Sequence, residues 1–301
     1  MLVLRAAWLG TWLASTLLLV LGAAPGVTHA QSAQLAGLVF DSSLDSPILG
    51  RVMPYRVYLP PEYFSEPTRR FPVMYMLHGA GGSYTEWSDS FLPQQLDSMI
   101  LGGLAQPMIV AMPDGGERTY FVNWDNGPRY SDYIAQDVVA EIDSHFRTLP
   151  QQASRAIGGL SMGGLGALQI AMRNPSIFGV VGAHSPSIRL AWDSELWFLT
   201  GENYLEHDPI WLSRNGSGEE RMAYWIDVGA EDWWRPNIEE LHAAFESAGL
   251  AVSWHVFPGT HEAEYWIDHV PDYVRFYSDT LRADQPPPSP LSSGEVVPGI
   301  P

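Results

Sequence analysis

A serine hydroxyl attacks carbonyls well only when a nearby base takes its proton. The strongest pointer to such chemistry is Gly159-Leu160-Ser161-Met162-Gly163, with Gly158 before it and Gly164 after it. The pattern G-x-S-x-G alone is weak, and a glycine-rich turn packing a helix on a strand is the plain alternative. Context strengthens it. Arg155-Ala156-Ile157 reads as a short strand and Leu165 to Ala171 as the start of a helix. Strand–turn–helix is the setting of a nucleophile elbow, where small neighbours let the backbone fold back and expose the serine.

The partners of such a serine follow in the order acid, then histidine, each in a loop just after a strand. The strand-like run Tyr224–Val228 leads into Gly229-Ala230-Glu231-Asp232, and Val252–Phe257 leads into Pro258-Gly259-Thr260-His261-Glu262. His261 is therefore the expected base and Asp232 the expected acid, with Glu231 its rival. Asp227 and His255 lie inside strands, His269 falls on the following helix, and His184 ends a strand where it can line a pocket. Negative charge developing on the substrate needs two backbone N–H donors. Met162 supplies one. The loop His78-Gly79-Ala80-Gly81-Gly82 supplies the other, from Ala80 with Gly81 as the alternative.

These residues need a scaffold that gathers loops at one sheet edge. Further strand-like runs are Tyr55–Leu59, Val73–Leu77, Met108–Met112, Arg155–Gly159 and Gly179–Ala183, several of them continuously apolar as in parallel strands buried on both faces. Helical periodicity marks Tyr133–Phe146, Ser161–Arg173, Pro236–Ala248 and Ala263–Leu281. The alternation predicts an α/β fold with a doubly wound, mostly parallel sheet flanked by helices. Ser185–Arg221, with Trp192, Trp197 and Trp211, breaks the rhythm and reads as a Trp-rich insertion or cap over the sheet's carboxyl edge.

Composition narrows the function classes. The chain has 301 residues, 46% hydrophobic and 17% charged, as in ordinary globular proteins. It has no cysteine, so disulfides, thiolate catalysis and Cys-ligated metals are excluded. All 16 basic residues are arginine, which excludes a Schiff-base or P-loop lysine. A net charge of −18 argues against nucleic acid and anionic lipid as partners. Residues 1–30 have the layout of a secretory signal peptide: Arg5, an apolar run from Ala6 to Ala24, and the small-residue site Thr28-His29-Ala30. An uncleaved membrane anchor is the alternative. Residues 31–283 read as one domain and 284–301 as a Pro/Ser-rich disordered tail.

The pieces Leu77-His78-Gly79, Met112-Pro113-Asp114-Gly115-Gly116, Gly159-Leu160-Ser161-Met162-Gly163-Gly164, Gly229-Ala230-Glu231-Asp232 and Pro258-Gly259-Thr260-His261-Glu262 resemble the esterase D family, also described as "Putative esterase". The resemblance covers most of residues 50–280. It implies an α/β-hydrolase fold, the triad Ser161, Asp232 and His261, and the oxyanion donors Ala80 and Met162. Feruloyl esterases, S-formylglutathione hydrolases, enterochelin esterase-like proteins and antigen 85 mycolyltransferases belong to that family.

Aromatic residues are dense around these loops. Trp87, Trp124 and Trp233, with Asp114, are the expected substrate contacts; Tyr120, Phe121, Trp234 and Trp266 lie beside them in sequence. The expected function is a secreted serine ester hydrolase acting by an acyl-enzyme, without metal or cofactor, on an aromatic (feruloyl-type) or glycosyl ester. An acyltransferase delivering the acyl group to a sugar or lipid hydroxyl and a non-catalytic cell-surface binding module are the alternatives.

Overall fold

The apolar runs of the sequence become the middle of one eight-stranded sheet, ordered β1-β2-β4-β3-β5-β6-β7-β8. The structure, a computed structural model, describes residues 35–190, 196 and 198–283. The expected leader (1–30) and tail (284–301), and also Trp192 and Trp197, lie outside the described residues. The strands are β1 (Leu38–Ser46), β2 (Arg51–Leu59), β3 (Val73–Leu77), β4 (Ile109–Pro113), β5 (Arg155–Leu160), β6 (Val180–His184), β7 (Ala223–Gly229) and β8 (Val252–Phe257). From β4 to β8 all neighbours pair in parallel, whereas β1 with β2 and β2 with β4 are antiparallel.

Every residue of β3, β4, β5 and β6 is buried, because helices cover both faces there. Side chains of β3 alternate between the two apolar layers. Val73, Tyr75 and Leu77 join the layer that holds Leu165, Leu168 and Phe245; Met74 and Met76 join the layer that holds Leu96, Tyr273 and Tyr277. Strand β1 and the first half of β2 escaped the sequence reading. They form an edge hairpin with the polar run Asp41-Ser42-Ser43, so no apolar pattern announces them. The helices begin and end within two residues of their expected bounds at Met162–Arg173, Arg235–Ser247 and Ala263–Thr280.

The helix Ala263–Thr280 is keyed into the sheet through Tyr277. A methyl group on Gly158 or Gly182 would lie 1.8 or 1.9 Å from the Tyr277 hydroxyl. That hydroxyl is 3.0 Å from Nε2 of His184. His184 Nδ1–H in turn donates to Oδ2 of Asp227 at 2.9 Å, and Trp225 Nε1–H donates to the same oxygen at 2.6 Å. Oδ1 of Asp227 accepts from the Tyr265 and Tyr273 hydroxyls at 2.7 and 3.2 Å. His184 and Asp227 are both fully buried. His184 therefore belongs to a core network behind the sheet edge and does not line a pocket, contrary to one reading of its position.

The segment 185–221 is only partly a cap. Ser187 and Arg189 stay at the carboxyl edge of the sheet. The helix Pro209–Asn215, capped by Asp208 accepting from Ile210 N–H, packs instead on the helices Met162–Arg173 and Arg235–Ser247. Its Ile210 and Leu212 are buried, and Trp211 packs partly buried against the same core. Preceding it, His207 is buried as a neutral ring. Nδ1–H donates to Asn203 O at 2.9 Å, while Nε2 accepts from Asn123 N–H at 3.1 Å and lies 2.7 Å from Arg173 Nη1. Burial first, and then the Arg173 charge, pull its pKa down to about 4.

This has a consequence for acid stability. As pH falls below about 6.5, the unfolded histidine takes a proton that the folded one refuses until about 4. Stability attributable to His207 is therefore complete above that window and lost across it, by on the order of 3 kcal/mol. In His207→Gln, the slope of unfolding free energy against pH should flatten by up to about one proton in this window. Urea titrations at several pH values would measure it; an unchanged slope would refute the assignment.

Candidate active site

Ser161 sits between β5 and the helix Met162–Arg173 with φ 51° and ψ −113°. Such a backbone is strained for a non-glycine residue, by about 1–3 kcal/mol, and neighbours must hold it. They do so tightly. A Cβ on Gly159 would lie 2.4 Å from the Gly163 carbonyl carbon, and one on Gly163 would lie 2.3 Å from Leu77 O. Ser161 N–H donates to His184 O at 3.1 Å, and Ser161 O accepts from Ser187 N–H at 2.9 Å.

The loops after β7 and β8 bring the other two predicted residues to this serine. His261 Nε2 lies 2.8 Å from Ser161 Oγ, and its Nδ1 lies 2.7 Å from Asp232 Oδ2. A carboxylate on Nδ1 fixes the tautomer that carries hydrogen there and leaves Nε2 free to accept the serine proton. Asp232 is buried and also accepts from Trp234 N–H (2.7 Å, on Oδ1) and from the Ser185 hydroxyl on Oδ2. Burial pushes its pKa up, but the hydrogen bonds from His261, Ser185 and Trp234 outweigh that and hold the carboxyl below the usual range. The rival Glu231 is exposed and accepts from Gly259 N–H at 3.0 Å, so it does not face the imidazole.

In the loop after β3 one of the two candidate amides is already engaged. Gly81 N–H already donates to Glu117 O at 2.8 Å. Among the described residues, the N–H groups of Ala80 and Met162 donate to no protein acceptor. The orientation of the Ala80 amide is fixed from behind: Gly79 O accepts from His78 Nδ1–H at 2.8 Å and from Gly82 N–H at 3.1 Å. In a trans peptide the Ala80 N–H must then point the opposite way. His78 Nε2 accepts from Gly115 N–H at 2.9 Å, tying this loop to the one after β4.

Ala80, Ser161 and His261 open on a cleft of about 340 Å³, walled also by Tyr120, Ser187, Arg189, Trp233, Trp234 and Glu262. Trp233 is 62% exposed with its ring 4.8 Å from that of His261. Tyr120 and the next residue, Phe121, both have φ 53°. The Tyr120 hydroxyl accepts from Arg189 Nη2 at 2.6 Å, and the Arg189 guanidinium lies over the rings of Tyr120 and Trp234.

Three expected substrate contacts are placed elsewhere. Trp87 is 1% exposed; its Nε1–H donates to Leu77 O at 2.9 Å and its ring meets His184 and Tyr273 in the core. It belongs to the short helix Glu86–Asp89, and its ring is spent on core packing rather than on the cleft wall. Asp114 turns back to accept from Gly116 N–H at 2.9 Å and is not among the cleft residues. Trp124 stacks on Phe198 at 4.5 Å and lines a neighbouring hollow with Asp125, Arg173 and Asn203. Tyr120, Trp234, Ser187 and Arg189 hold cleft positions that the site prediction omitted. For Tyr120 and Trp234 the signal is their place among the aromatics dense around the site loops; for Ser187 and Arg189 it is only proximity to the carboxyl end of β6.

Among the described residues, no cluster of three or more His, Asp or Glu side chains is arranged to hold a metal ion, and no helix is long and apolar enough to cross a membrane.

Comparison with known proteins agrees with this arrangement of elements. The chain is 34% identical over 241 residues to "Esterase Rv1288" of Mycobacterium tuberculosis, covering 68% of this chain and 51% of that one. It is 26% identical over 231 residues to an "Endo-1,4-beta-xylanase/feruloyl esterase" of Xylanibacter ruminicola, covering 72% of this chain and 28% of that one. It thus spans about half or less of these relatives' lengths. Among solved structures, a ferulic acid esterase superposes with TM-score 0.74 at 23% identity, over 81% of this chain and 98% of that one. An S-formylglutathione hydrolase from Agrobacterium tumefaciens gives 0.70 at 20%, over 83% and 97%. The chain has the α/β-hydrolase fold of these structures. With the model of the family described as "Putative esterase" matching residues 46–277, the chain belongs to that family.

Proposed function

We propose that the protein is a secreted serine carboxylic-ester hydrolase that works through an acyl-enzyme on esters carrying a flat aromatic or glycosyl part. The observation that carries this reading is the unbroken hydrogen-bonded chain from Ser161 Oγ through His261 to Asp232, opening on a cleft beside two amides with no acceptor among the described residues. His261 Nε2 takes the Ser161 proton as Oγ attacks the ester carbonyl carbon. The amides of Ala80 and Met162 receive the charge on the carbonyl oxygen. The intermediate collapses, and the alcohol leaves with the proton from His261. Water, giving a proton to the same nitrogen, attacks the acyl-enzyme; the acid departs and Ser161 regains its hydrogen. Export rests on the leader read from residues 1–30.

The aromatic preference is supported by Trp233, Trp234 and Tyr120 around the nucleophile, since flat rings gain contact there at little entropic cost. A relative's printed name, feruloyl esterase, points the same way. The test compares methyl ferulate with p-nitrophenyl acetate. A fluorophosphonate should label wild type and not Ser161→Ala, which should hydrolyse neither ester. Trp233→Ala should lower kcat/KM about fivefold for the ferulate, on the order of 1 kcal/mol, and leave the acetate nearly unchanged. Turnover by folded Ser161→Ala would refute the mechanism; equal losses on both esters would refute the substrate class. Product analysis with an added sugar or lipid alcohol separates hydrolysis from acyl transfer.

A further inference from the structure

Asp232 Oδ2 carries two donors, and only one of them is the imidazole. The other is the hydroxyl of Ser185, the first residue after β6. Ser185 Oγ also lies 3.5 Å from His261 Nδ1, at the corner where acid and base meet. Ser185 is fully buried and has φ 46°, left-handed for a residue that is not glycine. The following residue is Pro186, which ordinarily pushes its predecessor to extended backbone. A glycine would relieve the φ, but it has no hydroxyl to offer Asp232.

The surrounding backbone clasps this residue to the nucleophile. His184 O accepts from Ser161 N–H, Ser185 N–H donates to Asp227 O at 3.0 Å, and Ser187 N–H donates to Ser161 O. Pro186 packs so closely on the helix Met162–Arg173 that a Cβ on Gly164 would lie 3.0 Å from the Pro186 Cβ. A single short segment therefore fixes the height of Ser161 with its main chain and the carboxylate with a side chain.

We propose that Ser185 is a positioning residue of this site, holding Asp232 in the orientation that aligns His261 with Ser161. The proposal rests on the hydrolase reading above. By sharing Oδ2, the Ser185 hydroxyl, together with Trp234 N–H on Oδ1, restrains the carboxylate from rotating about its Cβ–Cγ bond and takes up part of its charge. Without that donor, Asp232 is looser and interacts more strongly with a protonated His261. Turnover should drop, and the acid limb of the rate profile should move to higher pH. The other ionisable groups around the pair are Glu262 and Arg189 on the cleft wall, Glu231 bound to Gly259 N–H, and Tyr265 bound to Asp227. None of them donates to Asp232 in place of Ser185.

The experiment uses Ser185→Ala and Ser185→Gly, the second of which relieves the backbone and so keeps the test open if alanine folds poorly. For p-nitrophenyl acetate, both should lower kcat about tenfold with KM within about twofold, the loss expected for a hydrogen bond to a charged group. Both should move the acid limb of kcat/KM to higher pH. Ser185→Ala added to Asp232→Asn should cost nothing further, because the hydroxyl acts through the carboxylate. Wild-type kcat with an unmoved acid limb in both variants would overturn the proposal. So would a full tenfold loss in the Asp232→Asn background. If a fluorophosphonate fails to label Ser161 in wild type, the hydrolase reading falls and this proposal falls with it. Labelled wild type beside unaltered variants removes this proposal alone.

Discussion

Asp232→Asn is expected to lower kcat about 10⁴-fold while leaving the protein folded. An amide presents either an oxygen or an N–H group to His261 Nδ1. Its N–H group favours the tautomer with hydrogen on Nε2, which then faces Ser161 as a donor and cannot take its proton. The amide also stabilises an imidazolium far less than a carboxylate does. Glu231→Gln should stay close to wild type, since Glu231 is exposed and its carboxylate accepts from the Gly259 amide. Stopped-flow or steady-state assay of both variants on one activated ester decides the matter. A crippled Glu231→Gln beside a healthy Asp232→Asn would reverse the assignment of the acid.

The second large effect is on stability. Asp227 accepts from His184, Trp225, Tyr265 and Tyr273 with no exposure to water. Burial first, and then this carboxylate's charge, hold the Tyr273 hydroxyl well above its ordinary pKa and so keep it a donor. Asp227→Asn keeps the shape but turns one acceptor oxygen into a donor NH₂ facing other donors. At least one buried N–H or O–H group then has no acceptor, at a cost of about 3 kcal/mol. The midpoint of denaturant unfolding should fall with little change in slope. Because His184 O also holds Ser161 N–H and Trp266 Nε1–H, some activity should be lost as well, but far less than in Asp232→Asn. An unmoved midpoint would show that the network contributes no net stability.

The sequence made the nucleophile, base and acid legible for a physical reason. Each follows a strand-like run, and small or turn-forming residues mark the exit from each strand. The strands β3 to β8 were visible for the same cause. The edge hairpin of β1 was not, since half-exposed antiparallel strands need no apolar run. Substrate contacts were the weakest part. Trp87 and Trp124 have the right type and lie near the right loops, yet type does not say which way a ring turns. That was decided by Leu77 O for one indole and by Phe198 for the other. Ser185 was invisible because its value depends on meeting residues from β7 and β8 that are distant in the chain.

Gly158 immediately precedes the serine's glycine-rich turn, but its lack of a side chain answers to a different partner, the Tyr277 hydroxyl shared with Gly182. This has an evolutionary meaning. Positions 158, 182 and 277 form one epistatic unit: a side chain at either glycine is admissible only in a lineage where residue 277 has already become smaller. Losing the Tyr277 hydroxyl first would leave His184 Nε2 short of a partner, so neither order of substitution is neutral. The three positions should drift together or not at all, independently of what the serine is used for.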